Sequence, residues 1–229
     1  LTRLSKRKHK QLEASVLMNS DQIIVTSQQT KLILSKRTKS PVIVITNGYD
    51  FEINKSCKLD TKFTLSHVGN LQDGRNPEFL WKTLHDLVQN SIDFSKHFRL
   101  NLIGYISEAV LNSIRIYGLE AYTNYSGYVS HSEALEYQSR TQLLLLIEEN
   151  SKETKYIIPG KLFEYIASRR PIIAIGPDGS DIENIVTKSA SGNYFRYEES
   201  ELLSSVILGY FERYKRNDLY VEPKEIEKY

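Results

Sequence analysis

The sequence predicts an α/β chain built on a doubly wound parallel sheet, with a remnant of a preceding unit at its N-terminus. Three observations carry this. Strand-like and helix-like runs alternate from end to end, the pattern of a parallel sheet covered by helices. Gln142 to Ile147 contains four leucines and an isoleucine in a row, which suits a central strand buried on both faces. Beyond residue 61 the alternation amounts to six strand–helix repeats in about 150 residues, the size of one doubly wound domain.

In chain order, a helix through Leu12 and Val16 precedes a strand at 22–26. A helix through Leu32 to Leu34 then leads to a strand at 42–45 and the turn Asn47-Gly48-Tyr49-Asp50. Residues 51–61 are polar, lysine-bearing and without period, and are expected to form a linker between a fragment at 1–50 and a main domain at 62–229. The main domain begins with a strand at 63–68. A long helix is expected at 76–94, with Phe79, Leu80, Leu84, Leu87 and Val88 on its apolar face. Strands at 99–103 and 122–125 flank a helix at 107–117. Ser130 and Glu133 read as a capping box opening the next helix, and Ser180 and Glu183 as another. A helix at 161–167, strands at 171–175 and 192–195, and a helix at 198–214 complete the pattern.

Composition narrows the function classes. Hydrophobic residues at 40% and charged residues at 25% describe a soluble globular chain of 229 residues with a real core. A net charge of +2 argues against a dedicated nucleic-acid binder. Cys57 is the only cysteine, which leaves no disulfide framework or thiolate zinc site and fits a reducing cytoplasm. No apolar run approaches the ~20 residues that span a bilayer, and no apolar segment of a signal peptide follows the basic N-terminus. The run Arg3, Lys6, Arg7, Lys8, Lys10 is either a solvated helix face or a contact with anionic lipid. The missing initiating Met and the abrupt end predict a segment of a longer protein.

In an open parallel sheet, ligands bind beyond the carboxyl ends of the strands. The informative residues are therefore Gly69-Asn70-Leu71 through Arg75, Gly104-Tyr105, Gly127-Tyr128-Val129, Glu148-Glu149-Asn150 and Gly176-Pro177-Asp178-Gly179. The Gly69–Arg75 spacing suits a diphosphate met by a guanidinium, or an ordinary loop with a solvated arginine. No Gly-x-Gly-x-x-Gly or Walker pattern is present. Pro159-Gly160-Lys161-Leu162-Phe163-Glu164 ends a loop and starts a helix whose free N–H groups favour an anion. Lys161 adds charge there, and Glu164 is placed to accept hydrogen bonds from vicinal ribose hydroxyls; the alternative is a Lys161–Glu164 surface pair at i, i+3. His131 follows the capping Ser130 near the same mouth, as a ligand or a surface residue. Asp178 and Asp181 suit loop and cap duty better than a metal pair.

Several of these exits resemble one family. Phe63 to Leu84, with Gly69 and Arg75, looks like the first strand–helix unit of the C-terminal, donor-binding domain of GT-B-fold retaining glycosyltransferases, family 4-like (glycosyl transferases group 1). The family pattern carries two basic residues that bind the donor diphosphate. Here Asn70 replaces the first and Arg75 stands at the second. Gly127-Tyr128-Val129 resembles the turn whose backbone faces the nucleobase. Ile158 through Ala167, followed by Arg170-Pro171-Ile172-Ile173-Ala174, is similar to the family's strongest signature, in a subgroup found in bacterial surface-polysaccharide synthesis. Residues 20–27 and 46–50 resemble the end of the acceptor domain and the approach to the hinge.

The resemblance implies a Rossmann-like domain that binds a nucleotide diphosphate sugar through Gly69, Asn70, Arg75, Tyr128, Val129, Gly160, Lys161, Leu162 and Glu164. Glu164 would be the ribose-binding second Glu of the family's paired glutamates; Tyr156 stands at the position of the first, which leaves that catalytic role unassigned. It also implies a glycan or lipid-linked acceptor, no metal and no further cofactor, no nucleic-acid partner, and a cytoplasmic place with peripheral contact at the inner membrane face through the full-length enzyme. A fragment of this kind is expected to bind nucleotide without transferase activity. Two other readings stay open: a nucleotide-sugar epimerase of the same fold, and a catalytically silent transferase-like binding module.

Overall fold

The computed structural model describes residues 2–49, 57–151, 154–197 and 199–224. Its main sheet has six parallel strands in the order β5-β4-β3-β6-β7-β8: β3 (Phe63–Val68), β4 (Phe98–Ile103), β5 (Thr123–Gly127), β6 (Leu143–Ile147), β7 (Ile172–Gly176) and β8 (Gly192–Arg196). A smaller parallel pair, β1 (Ile23–Val25) and β2 (Val42–Val44), carries α1 (Arg3–Asn19) and α2 (Gln28–Ser35).

Strand periodicity sorts the core into two layers. Side chains alternate across a sheet, so Leu143, Leu145 and Ile147 join one apolar cluster while Leu144 and Leu146 join the other. The first layer receives Leu80, Trp81 and Leu84 of α3 (Glu78–Asn90), Val110 and Ile114 of α5 (Glu108–Ile116), and Leu203, Ile207 and Phe211 of α9 (Ser200–Lys215). The second receives Tyr137 of α6 (His131–Arg140), Leu162, Phe163 and Ile166 of α7 (Lys161–Ala167), and Ile182, Ile185 and Val186 of α8 (Asp181–Lys188). Every residue of β6 and β7 is buried, as a strand covered on both faces requires.

The order of the strands makes the site. From β3 the chain winds outward through β4 and β5, then returns to lay β6 against the other edge of β3 and winds outward through β7 and β8. The reversal lies between β3 and β6, and the crevice beyond their carboxyl ends is the switch point of the sheet.

Three local expectations are corrected. The helix expected over 76–94 starts at Glu78, because the residue before Pro77 is driven out of the α region; Asn76 is extended and accepts from Trp81 Nε1 at 2.7 Å. The same helix breaks at Ser91, whose hydroxyl accepts from Phe94 N at 3.2 Å and starts α4 (Ile92–His97). At Ser180 only half of a capping box forms: its hydroxyl accepts from Ile182 N, while Glu183 reaches back to Gly179 N at 3.0 Å. The box at Ser130 and Glu133 is complete.

Most of the expected linker, like Asp50, lies outside the described residues. Its last part packs along α6: Asp60 N donates to Arg140 O at 2.8 Å, and Gln142 Nε2 donates to Asp60 O at 2.7 Å. The β1–β2 unit touches α8 of the main domain, where Gln29 N, in the first turn of α2, donates to Asp181 Oδ2 at 3.1 Å. Among the described residues, no helix is long and apolar enough to cross a membrane.

Candidate functional site

At the end of β3 the backbone turns at Gly69 with φ of 121°, a conformation that side chains with a Cβ rarely adopt. Gly104, leaving β4 beside it, has φ of 114°, and a Cβ there would meet the Gly69 carbonyl at 2.6 Å. The two glycines let the β3 and β4 exits close together, and the loop then runs through exposed Asn70 to a turn of 3₁₀ helix at Asp73–Arg75.

Lys161 approaches the same exit from α7. Its Nζ donates to Val68 O at 3.2 Å and lies 3.1 Å from where a Cβ on Gly69 would stand. Tyr165, one turn further along α7, accepts from Val68 N at 3.0 Å and donates to Val68 O at 3.2 Å. Burial, and then repulsion from Arg75, bring Lys161 down to about 8. The two cations belong to different elements and lie near enough to repel, a cost that Glu164 partly offsets at Lys161 and that a bound anion would offset further. His67, fully buried beneath, is held well below its ordinary value by desolvation and then by Lys161.

Glu164 is anchored from α6, where Gln138 Nε2 donates to its Oε2 at 2.8 Å. Gln138 is buried, so this carboxylate is held in place rather than waving in solvent. Leu162 contributes differently from the expectation: its side chain is core and its amide donates to Pro159 O at 3.0 Å, while Phe163 N donates to Gly160 O. The first turn of α7 therefore uses two of its N–H groups itself, leaving Gly160 and Lys161 at its front.

No protein-family model matches the chain, and no curated protein matches it by sequence. Solved structures do match. Sucrose-phosphate synthase from Thermosynechococcus elongatus superposes with a TM-score of 0.66 at 16% identity, over 93% of this chain and 54% of that one. TarM from S. aureus, solved with fondaparinux, α-GlcNAc-glycerol and UDP, gives 0.68 at 13% identity, over 93% and 41%. Anabaena HepE, solved with UDP and glucose, gives 0.63 at 17% identity, over 93% and 61%. The main sheet is a GT-B Rossmann-like domain. The chain spans about half the length of these structures.

Within this GT-B domain the sequence-selected residues fall into two groups. Gly69, Arg75, Lys161 and Glu164 gather at the switch point. Tyr128 is 92% exposed on the outer turn after β5, whose Gly127 has φ of 62°, and Val129 packs on the second core layer. Tyr156 is half-buried in the loop before α7, and His131 is an exposed residue at the start of α6. Asp178 pairs with Arg196 at 2.6 Å while Asp181 holds Gln29 N, so the two aspartates have separate duties. Among the described residues, no three His, Cys, Asp or Glu side chains are grouped to hold a metal.

One side chain escaped sequence reasoning, and a second was read only as a strand-exit residue. Gln138 looks like any polar helix residue, and only the fold brings it to Glu164. Glu148, directly after the apolar run of β6, is 6% exposed; Ser180 Oγ and Tyr194 Oη each donate to it at 2.9 Å. Burial pushes its carboxyl up to about 7 against the opposing pull of those hydrogen bonds and Arg75. Its place directly after the apolar run marked it as an exit residue, while its burial and its partners come only from the fold.

Proposed function

We propose that the switch-point crevice binds a nucleotide diphosphate sugar, and that the full-length protein is a retaining, family 4-like glycosyltransferase. The observation that carries this is the Lys161 ammonium at the Gly69 turn, with Arg75 near enough for the two to repel. Two converging cations in a partly dry crevice suit a diphosphate, whose negative charge grows as the sugar–phosphate bond breaks. Glu164, oriented by Gln138, accepts from the ribose hydroxyls, and the Gly127–Val129 turn frames the base with Tyr128 at its edge. The acceptor is a glycan or a lipid-linked sugar in surface-polysaccharide synthesis, reached in the cytoplasm at the inner membrane face.

Two of the similar structures, TarM and HepE, were solved with UDP, which supports the substrate class. Tyr156, standing where the resembling family has its first Glu, favours one second reading: a nucleotide-binding partner subunit without transfer activity. Donor hydrolysis by the full-length protein separates the two, since only a transferase turns over the donor.

A thermal-shift series with UDP-, GDP-, ADP- and CMP-sugars tests the binding itself, because a ligand that binds the folded state raises the melting temperature. One nucleotide class is expected to raise it, and Glu164→Ala is expected to weaken that ligand about tenfold or more. No shift with any nucleotide, or a shift unaffected by Glu164→Ala, would contradict the assignment.

A further inference from the structure

At the opposite pole of the sheet, below the amino ends of β6 and β7, lies a cleft of about 630 Å³ walled by Asp60, His97, Gln142, Arg170, Asn217 and Tyr220, among others. That volume falls within the range of small-ligand sites. The chain closes over it after α9: Asn217, with φ of 56°, ends the helix, and Val221 N then donates to Arg169 O at 3.3 Å.

The charges around this cleft are compensated, with one exception. Lys215 lies 3.1 Å from Asp93 and 2.9 Å from Glu212, and His97 lies 3.3 Å from Asp93. Arg213 faces Asp218 at 3.7 Å. Asp60 takes the Thr64 hydroxyl at 3.0 Å and faces Arg140 Nε at 3.6 Å. Arg170 is 4% exposed, and its Nη2 donates only to Gln142, to the backbone oxygen and to Oε1, both at 3.1 Å. Its Nε has no hydrogen-bond partner among the described residues, and none of their carboxylates pairs with it. Burial and the neighbouring Arg213 lower it to about 10, which still leaves it charged at neutral pH.

A buried guanidinium is costly without a counter-charge, and an oxyanion in the cleft supplies one. We infer that the cleft beneath β6 and β7 is a second ligand site, which binds a small oxyanion, a phosphate or carboxylate group, on Arg170. It is separate from the switch-point crevice and independent of the nucleotide assignment.

The test uses a Lys161→Met background, which removes the cation through which phosphate would report on the crevice instead. Inorganic phosphate and malonate are titrated at constant ionic strength, with the ¹H–¹⁵N signals of Arg170 Nε and Asn217 followed. Saturable shifts of both signals are expected, from phosphate alone if the ligand is phosphoryl and from malonate alone if it is a carboxylate; a response to both marks a general oxyanion site. Arg170→Gln is expected to abolish the response. Asn217→Asp, at an exposed position that does not endanger folding, sets a negative charge on the wall and is expected to weaken affinity about tenfold or more. No saturable shift with either anion, an Asn217 response that persists in Arg170→Gln, or unchanged affinity in Asn217→Asp would overturn the site.

Discussion

Lys161 and Glu148 flank the crevice and respond to burial in opposite senses, the ammonium lowered to about 8 and the carboxyl raised to about 7. Glu148 turns this into a stability statement. Its folded pKa lies above the ordinary 4.5, so its contribution is complete below pH 4.5 and is lost as pH rises through about 7. Glu148→Gln keeps the shape and removes the titration. Urea unfolding across that window should therefore show the wild type losing on the order of 2–3 kcal/mol relative to the variant. Parallel pH profiles would show that Glu148 ionises freely. Lys161 and Glu164 were legible in the sequence because they stand together at a helix start. Gln138, and the Ser180 and Tyr194 partners of Glu148, were not, because they lie 26, 32 and 46 residues from the groups they hold and only the fold joins them.

Among the elements, α7 governs the site. Lys161 and Tyr165 share a face at i, i+4 and both end on Val68, so this short helix fastens the last residue of β3 just before the Gly69 turn. Tyr165→Phe would leave the buried Val68 N–H without its acceptor, a loss of about 1–3 kcal/mol measurable by denaturant unfolding. A variant as stable as the wild type would mean that the Tyr165 hydroxyl does not hold the strand end. The span of α7 was legible from its Pro-Gly start, and β6 from its apolar run. The break at Ser91 was not, since the apolar spacing continues through Phe94 while one serine hydroxyl redirects the chain. Nor was the internal use of the Leu162 and Phe163 amides, which depends on how tightly the first turn winds.

At the scale of the whole molecule, alternation of strands and helices predicted a doubly wound sheet, and the strand order adds what alternation cannot give: a reversal between β3 and β6 that fixes where a ligand sits. The β1–β2 unit, with Ile24, Leu32 and Ile45 exposed, is too small to bury its own apolar faces. We read residues 1–50 as the end of an acceptor domain, and transfer as requiring the rest of it. The central claim concerns the crevice alone. Calorimetry with the matching nucleoside diphosphate, comparing the wild type with Arg75→Gln and Lys161→Met, tests it most directly. Each substitution should weaken binding by about tenfold to a hundredfold, as expected when a charged hydrogen bond is lost, and the Lys161 contribution should fade above about pH 8. Wild-type affinity in both variants would contradict the account.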